Sequence, residues 1–273
     1  AFGTDGFSLG DHAPLNNNTT TYASWNWLGA NGTAANTDGS ISSTVSANTT
    51  SGFSIVSYTG TGSNATVGHG LGSAPSMIII KNRSVSSGFW RVYHSGLNSN
   101  NKNLKLNATN AEATDSSIWN DTSPTNVNFS VGTSSDTNGS GNAMIAYCFA
   151  DVQGFSKMGS YIGGGNNFPF IYTGFKPGFV LIKNYVSSGW DWSMSDIPRD
   201  NEGGINSVGK RLAPNVSQAE YSNTSYANIQ KLSNGFTFNT NNTEINGQAE
   251  NYIYMTFARA PLVGSNNVPA NAR

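Results

Sequence analysis

The sequence predicts an all-β chain of tandem β-sandwich repeats, jelly-roll-like, each about a hundred residues long. Three observations carry that expectation. Helical periodicity is nearly absent, and Asn, Gly, Ser and Thr at this density compete with a helix backbone for its hydrogen bonds. Short β-rich runs ("FSIVSY", "SMIIIK", "FWRVYH", "LKLN", "NFSV", "AMIAYCFA") are bounded by Gly, Asn and Pro clusters. Finally, "GFSIVSYTGTG" at 52–62 returns as "GFSKMGSYIGGG" at 154–165.

The echo continues in order. "GSAPSMIIIKN" (72–82) meets "GFKPGFVLIKN" (174–184), "VSSGFW" (85–90) meets "VSSGW" (186–190), "VNFSVG" (127–132) meets "NGFTFN" (234–239), and "NAMIAYCFAD" (142–151) meets "NYIYMTFARA" (251–260). Such a period suits a complete small domain rather than a solenoid unit. Residues 40–151 therefore read as a first β-sandwich repeat and 152–273 as a second with a C-terminal tail. Upstream, "DGFSLG" (5–10) and "TYASWNWLG" (21–29) match the closing half of the unit, with Phe7 and Trp27 spaced as Phe129 and Phe149 are. Residues 1–39 are thus expected to be the C-terminal half of a preceding repeat. Its first half would lie on upstream chain or a partner chain; alternatively the segment docks as extra strands on the first full repeat. The first residue is Ala, so a processed product or a piece of something longer is expected. The polar stretch 31–52 reads as linker with one short edge strand.

Within each copy, "MIII" and "FVLI" are continuous apolar runs and are placed as central strands covered on both faces. In the closing strand, Ala23, Trp25 and Trp27 align with Ile145, Tyr147 and Phe149, and with Ile253, Met255 and Phe257, which gives one face of large apolar side chains. Gly72 with Pro75, and Gly174 with Pro177, mark a tight turn feeding the central strand. Each copy reads as about six strands in two packed sheets.

Composition narrows the function classes. Charged residues are 11% of the 273, and the net charge is −1, with acids and bases scattered singly. No basic stripe exists to neutralise phosphates, so nucleic acid is excluded as a partner. No run approaches the ~18 apolar residues of a membrane span, and no membrane insertion is expected. With 14 Phe, 11 Tyr and 6 Trp the chain has ample material for a core. The lone Cys148, inside "AMIAYCFA", reads as a small buried hydrophobe.

Chemistry is sparse. His12, His69 and His94 lie in unrelated contexts, and the textual alignment puts Ile171 and Met194 opposite the last two, so no shared site can depend on them. The Gly-rich stretch 60–72 fits no nucleotide fingerprint and reads as a turn region. Asp191, Asp196, Asp200 and Glu202 form the densest carboxylate set, without the facing pair a glycosidase needs. "DTNGSG" (136–141) starts like a calcium loop but has Tyr147 where the bidentate Glu belongs, and reads as a hairpin turn. No catalytic residue, metal ligand or cofactor is assigned. Trp90, Trp190 and Trp192, beside Ser/Gly turns, are the candidate ligand-binding residues, able to stack on a sugar if not spent on the core. Trp90 and Trp190 align with each other in the text. The N-x-S/T triplets at Asn17, Asn48, Asn64 and Asn82 are expected by chance at this Asn and Thr content.

The phrases "DGFSLG…YASWNW", "NTDGSISSTVSANTTSGFSIVSYTGTGSNATVGHGLGSAPSMIIIKN" and "AYCFADVQGFSKMGSYIGGG…PFIYTGFKPGFVLIKN" resemble a repeated domain of unknown function. That domain occurs in tail-fibre and other virion appendage proteins of marine tailed bacteriophages, including those of cyanobacteria. The resemblance implies a non-enzymatic virion structural protein, a fibre or appendage module contributing to host adsorption, located on the particle surface. Its partners would be other virion proteins, further copies of itself (a trimer being usual for a fibre) and a host-surface glycan. A carbohydrate-binding lectin-like module and a surface polysaccharide depolymerase are the competing expectations.

Overall fold

The computed structural model describes residues 6–199, 209–222 and 228–260. It is almost entirely β, in several antiparallel sheets; among the described residues the helices are three single turns, α1 (Ala13–Asn16), α2 (Ser116–Trp119) and α3 (Ser135–Asn138).

The first half contains β1 (Ala34–Asn36), β2 (Ser43–Asn48), β3 (Phe53–Thr59), β4 (Ala65–Gly68), β5 (Met77–Asn82), β6 (Arg91–His94), β7 (Lys102–Lys105), β8 (Ala113–Thr114), β9 (Asn128–Val131) and β10 (Ala143–Phe149). Its main sheet runs β1-β2-β3-β10-β5-β6-β7-β8, while β4 and β9 pair separately. The second half contains β11 (Ser156–Ile162), β12 (Ile171–Tyr172), β13 (Pro177–Asn184), β14 (Trp192–Asp196), β15 (Lys210–Arg211), β16 (Tyr221–Ser222), β17 (Ile229–Leu232), β18 (Gly235–Phe238) and β19 (Asn251–Ala258). Its main sheet runs β11-β19-β13-β14, with β12-β18-β17 and β15-β16 as smaller sheets. In both halves the closing strand is central: β10 lies between β3 and β5, and β19 between β11 and β13.

Alternation then explains the continuous apolar runs. Ile78 and Ile80 face one core, shared with Phe129 and Cys148, while Met77 faces another. Val180 and Ile182 face a third core with Phe236 and Phe238, while Phe179 and Leu181 turn to the second. That second core takes Phe149 and Met77 from one half and Phe257, Met255 and Leu181 from the other. The two main sheets therefore pack on each other, each also carrying its own small sheet on the far face. Burial of each large side chain there contributes roughly 1.5–3 kcal/mol.

Several expectations change. The stretch 31–52 is not a linker: β1 and β2 pair with each other, and β2 lies along β3, so the first main sheet begins at Ala34. Residues 21–29 form no strand, although Trp25 and Trp27 pack on the shared core. "DTNGSG" holds part of the turn α3 and joins strands of different sheets, so it is not a hairpin. The Gly-rich stretch 60–72 contains β4.

Register corrects the textual alignment most. Phe149 pairs with Met77, which pairs with His94; Phe257 pairs with Phe179, which pairs with Asp196. His94 therefore corresponds to Asp196, not Met194, and Trp90 to Trp192, not Trp190. Likewise Leu71 N–H donates to His69 Nδ1, and Phe175 N–H to Thr173 Oγ1. His69 thus answers to Thr173, not Ile171, and the matching turn glycine before the central strand is Gly70 rather than Gly72. Gly70 and Gly174 lie at φ 72° and 86°, where a side chain would be strained. The repeated text matches letters, whereas the sheet matches hydrogen-bonded pairs, and the connecting turns differ by one or two residues.

Candidate functional site

A groove of roughly 1100 Å³ opens between the two main sheets. Trp25, Trp27, Trp90, Tyr147, Phe179 and Met255 are among the side chains lining it. Trp90, half-buried, lies parallel to Tyr147 with centroids 6.4 Å apart. Trp25 is held by its Nε1, which donates to Asp196 Oδ2 at 3.2 Å, and by the Arg199 guanidinium over its ring. Trp27 stands at the meeting point of the sheets. Its ring centroid is 6.0 Å from Phe149 and 5.5 Å from Phe257, and those two are 6.1 Å from each other. The three aligned closing-strand aromatics form a nearly equilateral triangle of edge-to-face contacts.

Trp192 is only 1% exposed, within the shared core; its Nε1 donates to Lys105 O and its N–H to Asn215 Oδ1. Core packing uses both faces, so it offers no sugar platform. Trp190 is half-buried, and its carbonyl accepts from Lys183 Nζ as that of Gly88 does from Lys81 Nζ. Of the three candidates only Trp90 lines the groove.

A second surface escaped sequence reasoning. Phe168, Phe170 and Tyr172 alternate along the segment leading into and through β12, and all three are exposed. Alternation puts them on one face, a short aromatic ladder with Lys157 Nζ 5.7 Å from the Tyr172 ring. Their counterparts in the first half, Asn64, Thr66 and Gly68, carry no rings. The signal was present as "FPFIY" with aromatics every second residue.

The second half also buries a charged cluster. Arg211, 2% exposed, pairs with Glu244 and with Asp191 at 3.2 Å, and its guanidinium lies over Tyr221. Burial pushes the Glu244 carboxyl up to about 7 against the pull of Arg211, and pushes the Lys183 ammonium down to about 8. Arg211 is held by the two carboxylates and Lys183 Nζ by the carbonyls of Thr109 and Trp190, while Arg211 Nε is buried without a hydrogen-bond partner among the described residues. Asp196 is engaged by Arg199 at 2.7 Å; Asp200 and Glu202 lie outside the described residues.

His94 is fully buried. Its Nε2 lies 3.0 Å from Tyr254 O, across the junction between halves, and its Nδ1 accepts from Gly96 N–H. Burial lowers it to about 4. Cys148 is buried, its thiol pushed up to about 12 by desolvation. Asn82, one of the N-x-S/T asparagines, is buried and hydrogen-bonded to Ser135 O. Among the described residues no three His, Cys, Asp or Glu side chains converge as metal ligands, and no helix is long and apolar enough to cross a membrane.

The model of a family described as a domain of unknown function (DUF7483) matches residues 1–261, and the chain belongs to that family. No curated protein and no solved structure gives a significant match to it.

Proposed function

We propose that this chain is a non-enzymatic structural module of a tailed-phage virion appendage, built from tandem β-sandwich copies of one unit and contributing to host adsorption. The observation that supports it is the shared core. Two halves with matching strand order are fused through one apolar layer, which suits a stiff fibre segment rather than a hinged enzyme. Repetition would give such a fibre reach and multivalency, and an amide-rich, weakly charged surface would keep its contacts insensitive to salt. Antibodies raised against the chain should label the tail appendages of phage particles carrying it, and should slow adsorption to host cells. Labelling confined to infected-cell debris, with intact particles bare, overturns the proposal.

A carbohydrate-binding role is favoured by the ladder of Phe168, Phe170 and Tyr172, whose exposed rings suit stacking on sugar faces. Binding to an array of bacterial surface polysaccharides, lost about tenfold or more on Tyr172→Ala with Phe170→Ala, supports that reading; silence across the array removes it.

A further inference from the structure

We propose that the apolar groove between the two main sheets is the seat of a third copy of the module, and that residues 21–29 are that copy's closing strand. The inference rests on reading the halves as copies of one unit. It starts from the triangle of Trp27, Phe149 and Phe257. Phe149 and Phe257 occupy the same position of the central strands β10 and β19, pairing with Met77 and Phe179. Trp27 aligns with both in sequence and stands 6.0 and 5.5 Å from them, closing a figure whose third side is 6.1 Å. Mutual contact of the three equivalent residues is what a pseudo-threefold arrangement of closing strands requires. Phe179, which pairs with Phe257, lies equally near Trp27 at 6.0 Å, so it is the alignment in sequence, not the distances alone, that singles out this triangle.

Two sheets fill two of the three positions in that arrangement. At the third, Trp25 and Trp27 pack on the shared core, and Phe7 and Leu28 line the groove beside them. The backbone of residues 21–29 has no strand partner among the described residues, whereas β10 and β19 each have one on both sides. Leu28 is 76% exposed and Tyr22 48%. Beside them the groove of roughly 1100 Å³ is walled by Trp90, Tyr147, Phe179 and Met255. The groove is open to solvent, and a contiguous apolar surface of that kind marks an interaction site.

The occupant is the opening half of the third module, strands equivalent to β3, β4, β5 and β6, carried in cis ahead of Phe7. Chain order assigns the source: in both complete halves the opening strands precede the closing strand and flank it. The chemistry it brings is an apolar inner face equivalent to Phe53, Met77, Ile79 and Val92, set against the aromatic wall.

The test restores that half. Residues 53–128, which lead into Phe129, are joined directly ahead of Phe7, and amide hydrogen exchange is compared with the unextended chain. Residues 21–28 should slow by about 100-fold or more in the extended chain, while β10 and β19 report that both existing halves remain folded. The apolar dye anilinonaphthalene sulfonate should bind the unextended chain, and its fluorescence should fall about tenfold on extension. If the grafted segment itself fails to fold, residues 156–235 serve as a second graft. Fast exchange at 21–28 with both grafts, or unchanged dye binding, overturns the proposal. So does an unextended chain that sediments as a dimer and excludes the dye, because the occupant is then a second copy. Antibody labelling of particles is indifferent to these results, so the two proposals fail separately.

Discussion

The two halves hold a carboxylate at the same place, partly buried in one and buried in the other, and answer it with a cation from different strands. Asp136 in α3 and Glu244 in the corresponding turn both precede an Asn with matching bonds: Asn138 Nδ2 donates to Gly132 O and Asn246 Nδ2 to Thr240 O. In the first half the cation is Arg91 on β6, whose Nε reaches Asp136 at 2.8 Å while its Nη1 binds Asn103 on β7. In the second half the β6 position is Ser193 and the β7 position is Arg211, which pairs with Glu244. Arginine and small polar residue have exchanged strands. What the fold fixes is a positive group beside that turn, not a residue. A second ion pair has not moved: Lys102 with Glu112 and Lys210 with Glu220 sit in corresponding hairpins. The transposed pair is the deeper one, with side chains 3% and 4% exposed against 12% and 13%.

The largest expected difference between halves comes from their register-matched tryptophans. Trp192→Ala removes a ring wholly inside the shared core and should cost about 4 kcal/mol, whereas Trp90→Ala, at the groove wall, should cost about 1–2 kcal/mol. Urea midpoints read both. Equal losses would mean that Trp90 is packed as fully as Trp192, and that its groove wall is covered in solution.

The ion pairs come next. Glu244→Gln leaves Arg211 buried with only Asp191, at 3.2 Å, to compensate it, and should cost about 3 kcal/mol. Asp136→Asn, at a more exposed pair, should cost about 1–2 kcal/mol. The exchange of strands can be reproduced in the first half. Arg91→Ser should destabilise by about 2 kcal/mol, and adding Asn103→Arg should recover at least half of that, giving a coupling that a double-mutant cycle measures. Strict additivity would show that the two positions do not share the turn.

Acid distinguishes the halves at the junction. His94 is held neutral by burial, its value lowered to about 4 from the usual 6.5, while Asp196 at the same position of β14 is paired with Arg199. Because the folded value is depressed, the unfolded chain binds the proton more readily. The contribution is fully present above pH 6.5 and is lost as the pH falls through about 4, amounting to about 3 kcal/mol. Across the junction its Nε2 meets Tyr254 O, and within its own half its Nδ1 accepts from Gly96 N–H. Glu244, raised to about 7, tilts the curve the other way by gaining stability as the pH falls, and His69, also lowered by burial, adds to the acid loss. The test is therefore the difference between proteins: between pH 4 and 7 the urea midpoint of His94→Gln should fall less with acid than that of the parent chain. A slope unchanged by that substitution assigns the acid sensitivity elsewhere.

Much of the fold was legible because central strands covered on both faces leave continuous apolar runs, as "MIII" and "FVLI" do. The aligned Trp27, Phe149 and Phe257 likewise announced a common face. Pairing register was not legible: "VSSGFW" and "VSSGW" differ by one residue, and a single gap suffices to align Trp90 with the wrong tryptophan. The transposed arginine was hidden for a related reason, since its two positions are distant in sequence and adjacent only across a sheet. Its carboxylate could have been found, because "SDTNG" and "TEING" share spacing and chemistry. The exposed ladder at 168–172 was missed because it has no counterpart in the first half.

The smallest effect tests equivalence rather than difference. Tyr58 on β3 donates its hydroxyl to Thr137 O at 2.5 Å, and Tyr161 on β11 donates to Ile245 O at 2.6 Å, each anchoring the turn that holds the carboxylate. Burial raises both phenols, so neither ionises near neutrality. The surroundings differ, with Tyr58 edge-on to Phe129 and Tyr161 stacked on Tyr252 at 4.8 Å. Phenylalanine keeps the ring contacts and deletes only the hydroxyl, so Tyr58→Phe and Tyr161→Phe should each cost about 1 kcal/mol despite those surroundings. A loss confined to one of them would mean that only one turn depends on its anchor, and that the carboxylate in the other half is positioned by its arginine alone.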